Sequence, residues 1–188
     1  MENASTGNGT ENPEVKDAPE NTRDREEDLL AALHKELAGR VASLQIVTPE
    51  RGPLYLRVTA RSGRTEDVRA AAAEGCWWFV GPSAEPIGPG DDVISSAVRL
   101  LDAFTRADLR VVAGHLPSSV RWWLVRTPDG AGLRVDAGGR SGRMWTVVTV
   151  ARDWFCALVE TGTPVEAVGP VTDPAEAARR VARMLGAA

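Results

Sequence analysis

Six tryptophans dominate the residues able to do chemistry: Trp77, Trp78, Trp122, Trp123, Trp145 and Trp154. Two pairs are consecutive. Neighbouring side chains on a β-strand point to opposite faces, so each pair places one indole on each side of a sheet. One indole then packs beneath helices. The other needs a second cover, and the expected one is the other half of the chain, because burial is the ordinary use of such rings. An uncovered ring instead marks a contact surface. Arginines interleave with these rings: Arg121, Arg126, Arg143 and Arg152 lie beside Trp122, Trp145 and Trp154. This alternation suits either the stacking of single-stranded nucleic acid or cation–π pairs on a solvated face. The expected partner contacts are Trp77, Trp123, Trp145, Arg121, Arg143 and Arg152.

The remaining reactive residues are sparse. The two histidines, His34 and His115, have no carboxylate or cysteine near them at metal-ligand spacing. Cys76 and Cys156 sit in the apolar runs GCWWFV and DWFCALV, which suits small buried core groups better than reactive thiols. Ser95-Ser96 and Ser118-Ser119 lack a nucleophile-elbow context. The stretch GGRSGR after Asp136 has the glycines of an anion-cradling loop, but it joins two strands rather than a strand to a helix, so a hairpin loop is expected. No catalytic, cofactor-binding or metal-binding residue is assigned and no cofactor is expected. An enzyme would have to use dispersed groups such as Asp136, Asp153, Arg152 and His115.

Charge points the same way. Nine of the 26 acidic residues fall within residues 1–28, against three of the 22 basic ones, so the rest of the chain is close to neutral. Such a body lacks the field of a nucleic-acid binder. No apolar run reaches membrane-spanning length and no leader is recognisable, so a cytoplasmic protein without membrane contact is expected. Lys16 and Lys35 are the only lysines, and this arginine bias suggests a high-GC, actinomycete-type genome.

The elements that must position the tryptophans follow from periodicity. Residues 1–23 are polar and acidic and read as a disordered tail. Asp24 and Glu27 form a capping-box-like start to a helix carrying Leu29, Leu30, Leu33 and Leu37, stopped at Gly39. Strands are expected over 44–48, 54–60 and 76–80. A Gly/Pro-rich loop then leads to a helix capped by Asp91 or Asp92 and ending near Phe104. Thr105 and Asp108 suggest the cap of a further short helix. Strands over 120–127, 133–135, 144–150 and 154–159 follow. Asp173-Pro174 then opens the last helix.

The two halves share an order. CWWFV, IGP and a helix after Asp92 match DWFCALV, VGP and a helix after Asp173. This repeat decides an ambiguous segment: four alanines favour helix at 70–73, but the matching stretch before Trp154 is strand. Residues 68–73 are therefore read as strand, turning at Glu74-Gly75. The fold expected is α+β, with two repeated helix–four-stranded antiparallel meander–helix units, residues 24–104 and 105–188, forming a pseudo-dimer behind the tail.

The segments LLAALHKEL, GCWWFV, IGPGDDV and AVRLLDAF resemble a group of short actinomycete α+β proteins with a leucine-rich first helix, a Trp-containing strand, a Gly-Pro loop and a closing helix. The resemblance covers residues 29–104 and implies no activity or site residue. The function expected is a non-enzymatic protein-interaction or regulatory module whose partner is another protein or a second copy. A single-stranded nucleic-acid binder and an enzyme of dispersed residues are the alternatives.

Overall fold

The computed structural model describes residues 19–139, 142–159 and 166–187. The tail expected over residues 1–23 therefore lies mostly outside the described residues. Helix α1 (Pro19–Leu37) starts ahead of Asp24, with proline in the first turn, where its missing N–H costs nothing. Its leucines Leu29, Leu30, Leu33 and Leu37 are all buried.

Five strands follow: β1 (Ser43–Val47), β2 (Tyr55–Thr59), β3 (Thr65–Ala73), β4 (Cys76–Val80) and β5 (Pro86–Pro89). They form one antiparallel sheet in chain order. The alanine run is strand, as the repeat requires. Ala73 pairs with Cys76, and both turn residues, Glu74 (φ 53°) and Gly75 (φ 78°), have the positive φ of a two-residue hairpin. Helix α2 (Val93–Gly114) comes next. A second antiparallel sheet contains β6 (Arg121–Thr127), β7 (Gly130–Gly139), β8 (Gly142–Ala151), β9 (Trp154–Val159) and β10 (Glu166–Pro170). Helix α3 (Pro174–Met184) closes the chain.

Two expectations are corrected. Each meander has five strands, not four. The added strands, β5 and β10, contain the Gly-Pro motifs read as loops. Both lie at a sheet edge, where a proline without an N–H is tolerated. The helices expected to end at Phe104 and restart at Thr105 are one helix, α2. No glycine or proline interrupts it, and the Thr105–Asp108 cap signal is overridden because both sheets pack on the same rod. Ala97, Leu100 and Phe104 of α2 enter the first core, with α1 and Phe79. Leu109, Val112 and Ala113 enter the second, with Phe155 and α3.

The two units agree in local geometry. Trp78 pairs with Pro89 and Phe79 with Gly88, while Trp154 pairs with Pro170 and Phe155 with Gly169. The ladder is irregular beside both sites. The backbone N–H of Gly90 donates to the Trp77 carbonyl at 2.7 Å, and that of Val171 to the Asp153 carbonyl at 2.9 Å. Asp92 accepts from the Ser95 N–H, and Asp173 from the Glu176 N–H, each capping the next helix. Gly88 and Gly169 let that helix approach closely. A Cβ at Gly88 would collide with Ser96, and one at Gly169 would lie 2.9 Å from the Ala177 nitrogen.

Candidate functional site

Register sorts the tryptophans by face. In the first sheet, Trp77 pairs with Ala72 and packs against the first core, while Trp78 pairs with Ala71 on the outer side. In the second, Trp122 pairs with buried Val135, on the helix side at the edge strand, and Trp123 pairs with Arg134 on the outer side. One indole thus goes to each face, as expected. The expected cover does not follow. Trp122 (44%), Trp123 (41%) and Trp154 (46%) remain substantially exposed rather than buried between the halves, because the halves meet through α2 and their turns. Cys76 is also exposed, contrary to expectation, whereas Cys156 is buried and burial pushes its thiol up from its ordinary range.

The outer face of the second sheet is the candidate site. Trp123, Arg134, Val147 and Leu158 form one row across four strands. Arg121, Asp136 and Trp145 form the adjacent row. Among the described residues, the helices contact this sheet from its other side, through the buried inner residues. The Arg134 guanidinium lies 4.2 Å from the Trp145 ring centroid and 5.2 Å from that of Trp123. These are cation–π distances and hold the arginine against the sheet. Among the described residues its Nε is buried without a hydrogen-bond partner, and so is Oδ1 of Asp136, two residues along the same strand. Beside this group, Gly132 leaves space over which the methyls of Val125 and Val147 close; a Cβ there would lie 2.9 Å from Val147.

The structure brings together three of the expected contacts, Trp123, Trp145 and Arg121, on this face. Arg143 has its backbone in β8, paired with Gly138, and its side chain lies outside the described residues. Arg152 sits in the β8–β9 turn at φ 54°. Trp77 belongs to the other sheet, where it supports the core. Arg134, Val147 and Leu158 are the residues that sequence reasoning missed.

The first sheet's outer face is built differently. Arg57 donates to both oxygens of Asp67, at 2.8 and 2.9 Å, and lies over the Tyr55 ring. The guanidinium hydrogen bonds and charge hold the Asp67 carboxyl below the usual carboxylate range. Thr59 and Thr65 share a hydrogen bond at 3.2 Å.

No family of known proteins matches the chain, and neither does any curated protein or solved structure. Of the dispersed groups considered for catalysis, Arg152 and Asp153 are neighbours in the β8–β9 turn, Asp136 lies on β7 and His115 at the end of α2. Asp153 pairs with Arg61 at 2.8 Å, across the two units. His115 caps the C-terminus of α2 and shares a shallow depression with Glu176. Glu176 is held by Arg180 and Arg179 at 2.8 and 2.9 Å, which keep its carboxyl below the usual range. Among the described residues, no three His, Cys, Asp or Glu side chains converge as a metal site. No helix among them is long and apolar enough to cross a membrane.

Proposed function

We propose that the chain is a non-enzymatic protein-interaction module of an actinomycete cytoplasm. On this reading, one helix–sheet–helix unit was duplicated into a pseudo-dimer, and the second copy's outer sheet face became the contact surface. The supporting observation is the exposure of Trp123, Trp154 and Leu158 on a face that no helix covers among the described residues. Soluble domains rarely leave a contiguous aromatic and aliphatic face open without a partner for it. The matched Gly-Pro, Trp-Phe and Asp-cap geometry supports duplication. The single-stranded nucleic-acid reading is weaker, because Arg134 lies over the Trp145 and Trp123 rings on which bases would have to stack.

Site-specific photocrosslinking tests the proposal. A benzophenone side chain replacing Leu158, in protein expressed in its host, is expected to yield discrete protein adducts. The same probe replacing Gln45, on the first sheet's outer face, is expected to yield far fewer. Equal or absent adducts at both positions would sink the reading.

A further inference from the structure

The occupant of the open face can be specified from the face itself. This step rests on the protein-interaction reading and deepens it. Arg134 and Asp136 carry opposite charges two residues apart on β7. Neither forms an ion pair among the described residues, and both side chains stand half-buried on the open outer face. They point to a partner presenting a carboxylate and a guanidinium at the same spacing. This chain presents such a pair, on this face.

We propose that the face binds a second copy of the chain in a two-fold, sheet-on-sheet dimer. A two-fold interface is isologous: if residue i meets j, then j meets i. Place the axis in the interface, crossing β7 between residues 134 and 136. Arg134 of each copy then lies opposite Asp136 of the other. The same rotation carries the row of Trp123 and Val147 onto the adjacent row of Arg121 and Trp145. Trp123 meets an arginine and Val147 meets an indole. The charged pair and its two flanking contacts are thus complementary in type across a single axis. The indoles and aliphatic groups flanking the axis supply the apolar contact area, and the reciprocal ion pairs at the axis fix the register. The first sheet's outer face offers no such match, since Arg57 already holds Asp67 within the chain.

The test is a sedimentation-equilibrium series on the full chain with charge-swapped variants. Wild type is expected to reach twice the 20.1 kDa chain mass. Arg134→Asp places two acids on the face and Asp136→Arg two arginines, so each variant alone is expected to raise the dimer dissociation constant at least about tenfold. Mixed in equal amounts, they restore both ion pairs and should form a one-to-one heterodimer. Circular dichroism checks that each variant folds. Should one fail, Leu158→Glu at its exposed position is expected to weaken the dimer alone. A wild-type monomer at about 1 mM overturns the proposal, as do swapped variants that dimerise singly or fail to rescue each other in the mixture. A monomer whose Leu158 probe still captures other proteins removes the second copy as occupant and leaves the interaction reading standing. Absence of adducts at that position removes both.

Discussion

Beneath their helices the two sheets place Phe79 and Phe155 equivalently, each fully buried and each paired with the glycine of a Gly-Pro edge strand. On their far sides they part. Arg57 meets Asp67 in a two-pronged ion pair on a face also carrying Thr59, Thr65 and Gln45. Arg134 meets no carboxylate among the described residues and lies instead against Trp145 and Trp123, beside Val147 and Leu158. An inner face is fixed by the fold, because helix and sheet must share one core. An outer face is free to follow function. Two units alike inside and unlike outside are what one scaffold with two surface roles would produce.

The inner equivalence can be broken most directly at the phenylalanines. Phe79→Ala and Phe155→Ala should each cost roughly 3–5 kcal/mol, the usual range for emptying a buried aromatic site. Urea unfolding measures both. A Phe155 variant as stable as wild type would show that the second core does not depend on this site and would end the equivalence. Next come the glycines. Gly88→Ala and Gly169→Ala should each lose roughly 1–3 kcal/mol through overpacking. Gly169 should lose more, because its new Cβ meets the backbone of Ala177, whereas much of the Gly88 conflict is with a Ser96 hydroxyl that can swing away. That hydroxyl would give up its hydrogen bond to the Pro89 carbonyl, 2.9 Å long. The reverse ranking would mean that α3 shifts more readily than Ser96 rotates.

The outer contrast has a smaller signature. Arg57→Ala should lower stability slightly and make it less sensitive to salt, since an exposed ion pair is lost. In protein dilute enough to dissociate the proposed dimer, Arg134→Ala removes no ion pair within the described residues and should leave the salt response as it was. It should instead alter tryptophan emission, by uncovering the Trp145 and Trp123 rings. A matching loss of salt sensitivity in both variants under those dilute conditions would show that Arg134 has an ionic partner within its own chain.

Much of the inner architecture was legible in the residues. Leucine spacing located α1, and the repeat turned Ala70–Ala73 from helix into strand, a decision that local propensity alone gets wrong. The fifth strands were not legible, because Gly-Pro motifs read as loops unless the edge position that tolerates them is known. The continuity of α2 was hidden by a sound local signal: Thr105 and Asp108 fit a cap, but two cores sharing one helix outweigh it. On the candidate face, Trp123, Trp145 and Arg121 followed from alternation. Arg134 and Leu158 depended on register. The turn at Pro128-Asp129 carries part of that information, since pairing Thr127 with Gly130 places Trp123 opposite Arg134. Leu158 needed the register of two further strand pairs, β7 with β8 and β8 with β9.

The joint between the units offers the finest comparison, at Asp108. This side chain is buried on the shared helix α2, with Arg64 of the first unit 3.8 Å away. Burial, the largest influence, pushes its carboxyl above the usual range, and the neighbouring Ser62 hydroxyl and, to a lesser extent, the Arg64 charge pull in the opposite direction. A carboxyl raised in the folded state favours folding while it is protonated. Its contribution is complete below the ordinary aspartate value of about 3.9 and is lost as pH rises through the raised one. Asp67 and Glu176, both lowered by arginines, have the opposite slope and lose their contribution as pH falls. Comparing wild type with Asp108→Asn cancels those groups, because the variant keeps them. The Asp108→Asn protein should therefore match wild type near about pH 3 and be the more stable of the two at neutral pH. Urea midpoints across that range measure the difference. An asparagine variant that loses stability at neutral pH would make the combined attraction of Ser62 and Arg64 stronger than the cost of burial and the joint a polar clasp between the two units.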